Sequence, residues 1–446
     1  MPSRPATTAP ASPLTSWLIW LTAAVVYLLA VFHRTSLGVA GLDAAERFGV
    51  GSAALATFTV LQIGVYAAMQ VPTGVLVDRF GPRRVLTGAL LFLGLGQVLL
   101  ALAQTYAVAL VARGVLGLGD ALTFVSVLRL AANHFPGRQY MLVTALTGTL
   151  GFLGNLAATL PLTLLLAGPG WTPTFLAAGL VTLAFTAVVT LRVRDTPSDR
   201  TAASPSASMP EVAAQLREAV RIPGTRLGFW THFSAPFSQN VMVLLWGLPF
   251  LVDGQGYPAT TASSLLAVFV VGAMVGGPVL GGFVGRRPEL RMPLAVTYLV
   301  TVAVTWAVLL GWPGQVPIAV LVPAFTVLSF GGPFSTIGFA LARDYNPISR
   351  VGTATGIVNV GGFVATTAAA LAVGVLLEVT GGDYRIALLT MPVVLAFGAW
   401  RMSVWWLRAR AAVFAAEERG EPVPVRLRRH RWDAAGVALE RAPSAA

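Results

Sequence analysis

The stretch "GVLVDRFGPRRVL", residues 74–86, sets one acid and three arginines, Asp78, Arg79, Arg83 and Arg84, between two long apolar runs, with glycines at Gly74 and Gly81. A compact charged turn between such runs marks the point where a chain leaves a bilayer and re-enters it. A membrane-spanning helix needs about 20 apolar residues, and the polar link between two of them stays in water. The rest of the chain agrees. Of 446 residues 56% are hydrophobic and 11% charged, against about 25% charged in an ordinary soluble domain. So little charge cannot cover a soluble surface of this size. The expected class is an all-α integral membrane protein.

Twelve apolar runs are long enough to cross, at about 17–41, 51–77, 84–103, 106–132, 140–166, 172–192, 227–252, 259–284, 292–311, 315–342, 351–378 and 384–408. The long polar segment between the sixth and seventh divides them six and six. The expected organisation is a disordered tail at 1–16, a six-helix bundle at 17–192, a linker at 193–226, a second bundle at 227–408 and a basic tail at 409–446. The linker starts Ser/Pro-rich and reads as disordered; its end, "PEVAAQLREAVR", reads as an amphipathic surface helix.

The net charge is +12, and every basic residue is an arginine. Arginines crowd the turns after runs 2, 6, 8 and 10 and the C-terminal tail, while Asp43, Glu46, Asp253 and Asp383 mark the opposite turns. The positive-inside rule then puts both termini and the linker in the cytoplasm, with the chain in the cell membrane. The same rule makes the basic balance a topological signal, so no nucleic acid is expected as partner. The expected partners are the bilayer, a small-molecule substrate and protons, acting on a monomer. "RLRRHRW", 426–432, reads as a solvated basic tail.

The absence of cysteine excludes disulfides, thiolate catalysis and Cys-ligated metals. The four histidines, His33, His134, His232 and His430, have no partner at metal-binding helical spacing, and no cofactor is expected. Paired acids or a Ser/His dyad for an intramembrane enzyme are also missing. Two six-helix halves joined by a linker is an arrangement of parallel-repeat transporters. The turn "GVLVDRFGPRR" has a degenerate counterpart in "GPVLGGFVGRRPELR" after run 8, with Gly285 near the place of Asp78.

"GVLVDRFGPRR" resembles the G-x-L-x-D-R-x-G-R-R loop of the major facilitator superfamily, and "RGVLGLGDA", 113–121, resembles its R-x-x-x-G-x-G pattern. The resemblance implies an alternating-access transporter. It also implies that Gly74, Asp78, Arg79, Gly81, Arg83 and Arg84 form a conformational latch, with Asp78 against the start of run 11 near "SRVGTATG", 349–356. "YLLAVFHRTSLGVAG" in run 1, "GPGWTPTF" at 168–175 and "RDYNPISRVGTATGIVNVGGF" at 343–363 are similar to the anion:cation symporter and organophosphate-type branches. Run 1 lacks their Asp, and Thr172 replaces an Arg. The antiporter pattern of run 5 is absent from "GTLGFLGNLAATLPL".

A charge at bilayer depth is costly and therefore a functional candidate. His33, Arg34, Arg113, Asp120 and Arg129 qualify. Arg34 could hold an anion in bidentate fashion. His33, next to it, points to another face and is either a packing residue or a proton site. Asp120 is either a proton carrier or the partner of an arginine; Arg113, two turns away, is expected to act with it without direct pairing, and the family links this arginine to proton movement. Arg129 is expected to snorkel. Gln239, Asn240 and Trp246 in run 7, Asn155 and Asn359 are candidates for substrate recognition or for helix–helix hydrogen bonds. The second half is expected to carry almost no buried charge. The leading expectation is proton-coupled uptake of a small organic anion. Efflux of amphiphilic or cationic compounds, a nitrate-type carrier suggested by "GFLGN" and "GIVNVGG", and a transport-dead receptor are the alternatives.

Overall fold

The computed structural model describes residues 13–50, 52–158, 160–196 and 209–423, together with 427 and 429. Of the expected disordered tail at 1–16, residues 1–12 lie outside the described residues, as do the Ser/Pro-rich part of the linker and most of "RLRRHRW"; residues 13–16 are already helical. Twelve helices among the described residues are long and apolar enough to cross a membrane. We call them spans 1 to 12: Pro13–Val39, Val60–Phe80, Pro82–Leu102, Tyr106–His134, Gly137–Ala157, Trp171–Arg192, Pro223–Gly254, Thr260–Arg286, Pro288–Gly311, Ile318–Tyr345, Ile348–Val379 and Tyr384–Glu418. Each coincides with one of the apolar runs. Many apolar side chains, Leu191, Val379 and Val60 among them, remain exposed, as suits helices whose solvent is lipid.

Several runs that read as uninterrupted are broken. Run 5 ends as a helix at Ala157, and Leu160–Ala167 forms a separate short helix; Pro161 in its first turn begins a helix more readily than it continues one. Span 4 breaks at Leu122, where the Thr123 hydroxyl donates to the Asp120 carbonyl. Span 7 is α-helical over Pro223–Ser234 and Phe237–Val241, with π-helical turns at Met242–Trp246 and Phe250–Gly254. Pro236 and Pro249 remove N–H donors there, and π turns often mark such insertions. The amphipathic linker helix is present as Met209–Arg221.

The chain divides into two compact units. The first comprises residues up to Pro136 and Leu150–Ala213, the second Gly137–Thr149 and Ala214–Ala446. The first half of span 5 thus groups with the second unit. Its reason is a glycine seam on span 8: a Cβ on Gly281 would lie 2.8 Å from the Met141 carbonyl, so backbones pack where side chains otherwise stand.

Span 3 is the centre of the first unit, packed on spans 4 and 6. Leu93, Leu100, Ala112, Leu116 and Phe175 form its apolar core. Trp171 and Thr172 donate to the carbonyls of Leu100 and Ala101, pinning the start of span 6 to the end of span 3. Span 4 meets span 3 at Gly119, where a Cβ would lie 2.7 Å from the Leu93 nitrogen and 2.8 Å from the Ala89 carbonyl. No rotamer relieves a clash with backbone. Gly119→Val is therefore expected to destabilise the unit by about 1–3 kcal/mol or more. A fall in melting temperature of the purified protein checks this; an unchanged melting curve would contradict the packing.

Candidate functional site

Arg34 sits in the last third of span 1, and its side chain, like every helical side chain, leaves the backbone toward the helix N-terminus. This carries the guanidinium to Asp120 near the middle of span 4. Nε donates to Oδ2 and Nη2 to Oδ1, each at 2.7 Å, a bidentate pair. The Asp120 side chain is 1% exposed, while that of Arg34 is 31% exposed. The Arg34 Cζ lies 4.6 Å from the centroid of the Tyr66 ring. Gln62 adds a hydrogen bond from Nε2 to Asp120 Oδ2 at 3.3 Å. It reaches because Gly117 leaves room for the span-2 backbone, a Cβ there lying 3.2 Å from the Gln62 carbonyl.

Arg113 does not pair with Asp120. Its Nη1 donates to the His33 carbonyl at 3.1 Å and its Nη2 to the Arg34 carbonyl at 3.2 Å. It therefore holds the piece of span 1 that carries Arg34. Its side chain is almost wholly buried. Two guanidinium groups against one carboxylate leave this cluster one positive charge in excess.

His33 turns away from it. Its Nε2 meets the Thr182 hydroxyl at 2.8 Å. The same hydroxyl lies 2.9 Å from the Ala178 carbonyl. The buried Gln97 amide lies beside the His33 ring. Asn155, placed by span 5, accepts a hydrogen bond from Thr35, next to Arg34. Thus Arg34, Asp120, Arg113 and Asn155 gather around one stretch of span 1, and His33 lies on another face.

The candidates of the second unit are differently placed. Gln239 accepts from the Gly332 N–H at 2.8 Å, Asn240 donates to the Thr366 hydroxyl at 3.3 Å, and the Trp246 indole donates to the Ala370 carbonyl at 2.9 Å. Asn359 is buried and hydrogen-bonds His232. These groups join helices to each other, which is the simpler of the two roles their sequence allowed.

A family model described as Major Facilitator Superfamily matches residues 23–331. The chain belongs to this superfamily. It is a membrane transporter and not an enzyme. The chain is 27% identical over 395 residues to the probable sulfoacetate transporter SauU of Cupriavidus necator, covering 84% of this chain and 90% of that one. It is 24% identical over 400 residues to the probable galactarate/D-glucarate transporter GarP of Escherichia coli K12, covering 82% and 88%. Among solved structures, that of the superfamily transporter FucP, in the outward conformation, matches with a TM-score of 0.69 at 14% identity, over 88% of this chain and 99% of that one.

The superfamily's charged turn is built from more residues than its motif names. Arg129 was expected to snorkel; instead it is buried, and its Nε donates to Asp78 Oδ1 at 2.8 Å. Asn133 accepts from the same guanidinium and donates to the Asp195 carbonyl. Asp195 was missed from the sequence. Its carboxylate accepts the Arg83 N–H at 2.7 Å, capping the first turn of span 3, and Arg83 in turn donates to the Thr190 carbonyl. Gly81, with φ of +82°, has the Asp195 carboxylate where a Cβ would stand. Arg79 lies over Phe80, Arg84 is exposed and Gly74 is buried within span 2.

Removing the Asp78 charge leaves Arg129 buried beside a weaker acceptor, a change that costs about 3–5 kcal/mol when a buried pair loses one partner. Asp78→Asn is expected to slow transport while the protein still inserts. Arg129→Gln should produce the same loss, and the double variant no more than either alone. Full additivity would separate the two residues.

The second unit holds more buried charge than expected. Arg291 pairs with Asp344, which Arg343 also reaches at 3.4 Å; Arg343 lies against Tyr140. Arg410 is buried, and Arg401 is partly so. Arg401 lies inside run 12; the others sit at or near the ends of apolar runs, where a sequence alone does not distinguish a solvated turn from a buried pair.

Proposed function

We propose that the chain carries a small organic anion inward together with protons, with Arg34 as the anion contact and Asp120 as the coupling group. The observation that supports this most is the excess positive charge of the cluster, whose one accessible guanidinium is held by a buried carboxylate. Protonated Asp120 accepts poorly, and Arg34 is then released for a carboxylate or sulfonate. An anion on Arg34 in turn leaves Asp120 without its counter-ion and favours its protonation. Anion and proton thus favour each other's binding, as linkage requires. Transport of sulfoacetate and of galactarate or glucarate by the relatives is in keeping with such a substrate. Asn155, beside Thr35, is the candidate second contact, and Arg113 a positioning residue. His33 has the weaker claim, since it faces span 6.

Asp78, paired with Arg129, and the turn around it act in this proposal as a conformational latch that stabilises one access state. In this reading the linker and both termini are cytoplasmic, which the distribution of arginines supports.

A thermal-shift screen of the purified protein tests the reading. Mono- and dicarboxylates, sulfonates, sugar phosphates, nitrate and cationic amphiphiles form the panel, run beside Arg34→Ala. A ligand stabilises the folded state by about 2.7 kcal/mol at a hundred times its dissociation constant. An organic anion that stabilises the wild type and not the variant is the expected result. Stabilisation by cationic amphiphiles alone, indifferent to Arg34, would sink the import reading.

A further inference from the structure

We propose that the second unit binds the headgroup phosphate of an anionic phospholipid in a cavity between span 7, span 12 and the linker helix. The cavity measures about 290 Å³ and is lined by Val220, Arg226, Phe229, Trp230, Ile357, Arg401 and Trp405. It is an open groove on the order of ten water volumes. Arg226 and Arg408 lie against the Trp405 ring, at 4.5 and 4.7 Å, and Arg401 lies against Trp230 and Trp400, at 5.2 and 5.5 Å. Arg221, ending the linker helix, adds a fourth positive charge within electrostatic reach of Arg226.

Among the described residues, no carboxylate pairs with any of the four. Glu218, on the linker helix, is paired to Arg350 at 2.5 Å. Arg226 Nε donates to the Val220 carbonyl, which orients the guanidinium without neutralising it. Arg221 and Arg408 are exposed, while Arg226 and Arg401 are partly buried; the like charges repel each other, and an anion among them relieves this.

Position selects a lipid over a free ion. Arg401 lies seven residues, about 10 Å, along span 12 from Arg408, inside an apolar helix. Its side chain starts toward the N-terminus of span 12, away from the linker side. Snorkelling to water at the linker side runs against that direction, and a charge inside an apolar helix needs a partner. Phe397 and Trp400 stand exposed on the same stretch of span 12, Trp400 at 58%, and offer an acyl chain an apolar wall. Tryptophan is the residue of the headgroup boundary, and basic pockets between helices on the cytoplasmic side are where anionic headgroups dock.

The experiment uses the full-length protein, delipidated in neutral detergent. Dioleoyl phosphatidylglycerol and the matched phosphatidylcholine are titrated while bound lipid is counted by native mass spectrometry. Glycerol 3-phosphate and inorganic phosphate form the soluble arms. Phosphatidylglycerol is expected to bind at least tenfold more tightly than phosphatidylcholine, and an R226Q/R401Q variant to lose that preference. The control R286Q/R287Q, at the end of span 8, should keep it. Arg408→Gln, at an exposed position, serves where the double variant fails to fold, with a threefold or greater loss expected. Equal binding of the two lipids overturns the proposal. So does a preference unmoved by substitution at these arginines, or soluble phosphate competing as well as the lipid does.

Discussion

Arg34→Ala protein is expected to insert normally and to transport almost nothing. The guanidinium is the accessible charge of the cluster, and truncating one partner of a buried, hydrogen-bonded charge pair costs about 2–5 kcal/mol. That converts to a loss of at least about thirtyfold in apparent affinity, at 1.4 kcal/mol per tenfold. The variant also strands Asp120, 1% exposed, with Gln62 as its remaining hydrogen-bond donor in the cluster, so its melting temperature should fall as well. Arg34→Lys separates the two effects. It keeps a cation near Asp120 but cannot make two parallel hydrogen bonds to a carboxylate. Restored stability with uptake still impaired is the expected outcome. Uptake by Arg34→Ala at the wild-type rate would remove Arg34 from the binding site.

Asp120→Asn is expected to separate binding from accumulation. With a neutral amide at this position the guanidinium is permanently free of its ionic partner. Anion affinity in the wild type should rise as pH falls, because protonating Asp120 releases Arg34. In the variant this dependence should be flat, since the group that binds the proton is gone. Coupling between two sites is commonly worth about 1–3 kcal/mol, or 5–150-fold in affinity, so the lost pH dependence is readily measured. In proteoliposomes, counterflow exchange of labelled anion should persist while uphill uptake driven by a pH gradient disappears. Gradient-driven accumulation by Asp120→Asn would rule out this carboxylate as the coupling group.

Both predictions rest on a pair that the sequence did not join. Arg34 and Asp120 stood out separately, each as an expensive charge in an apolar run. Their contact depends on how closely spans 1 and 4 approach, and the hold of Arg113 on two carbonyls of span 1 ties the two helices together. The same holds at the charged turn. Asp78 and Arg129 were legible as charges near a membrane boundary, but their pairing was not, and Asp195 gave no signal at all in "RVRD". In the second unit, Arg401 was passed over because it lies in a run that remains apolar on average despite it.

What the sequence determined by itself was the twelve apolar helices long enough to cross and the superfamily. Hydrocarbon allows a spanning segment little choice: twenty residues must bury every backbone polar group in a helix, and a charge must have a reason to be there. Such local demands can be read one segment at a time. Only the tertiary structure decided which charges meet, which amides join helices and which helices bend at a proline. Those outcomes turn on a few tenths of a nanometre between backbones and on the direction in which each side chain leaves its helix, and both belong to pairs of segments.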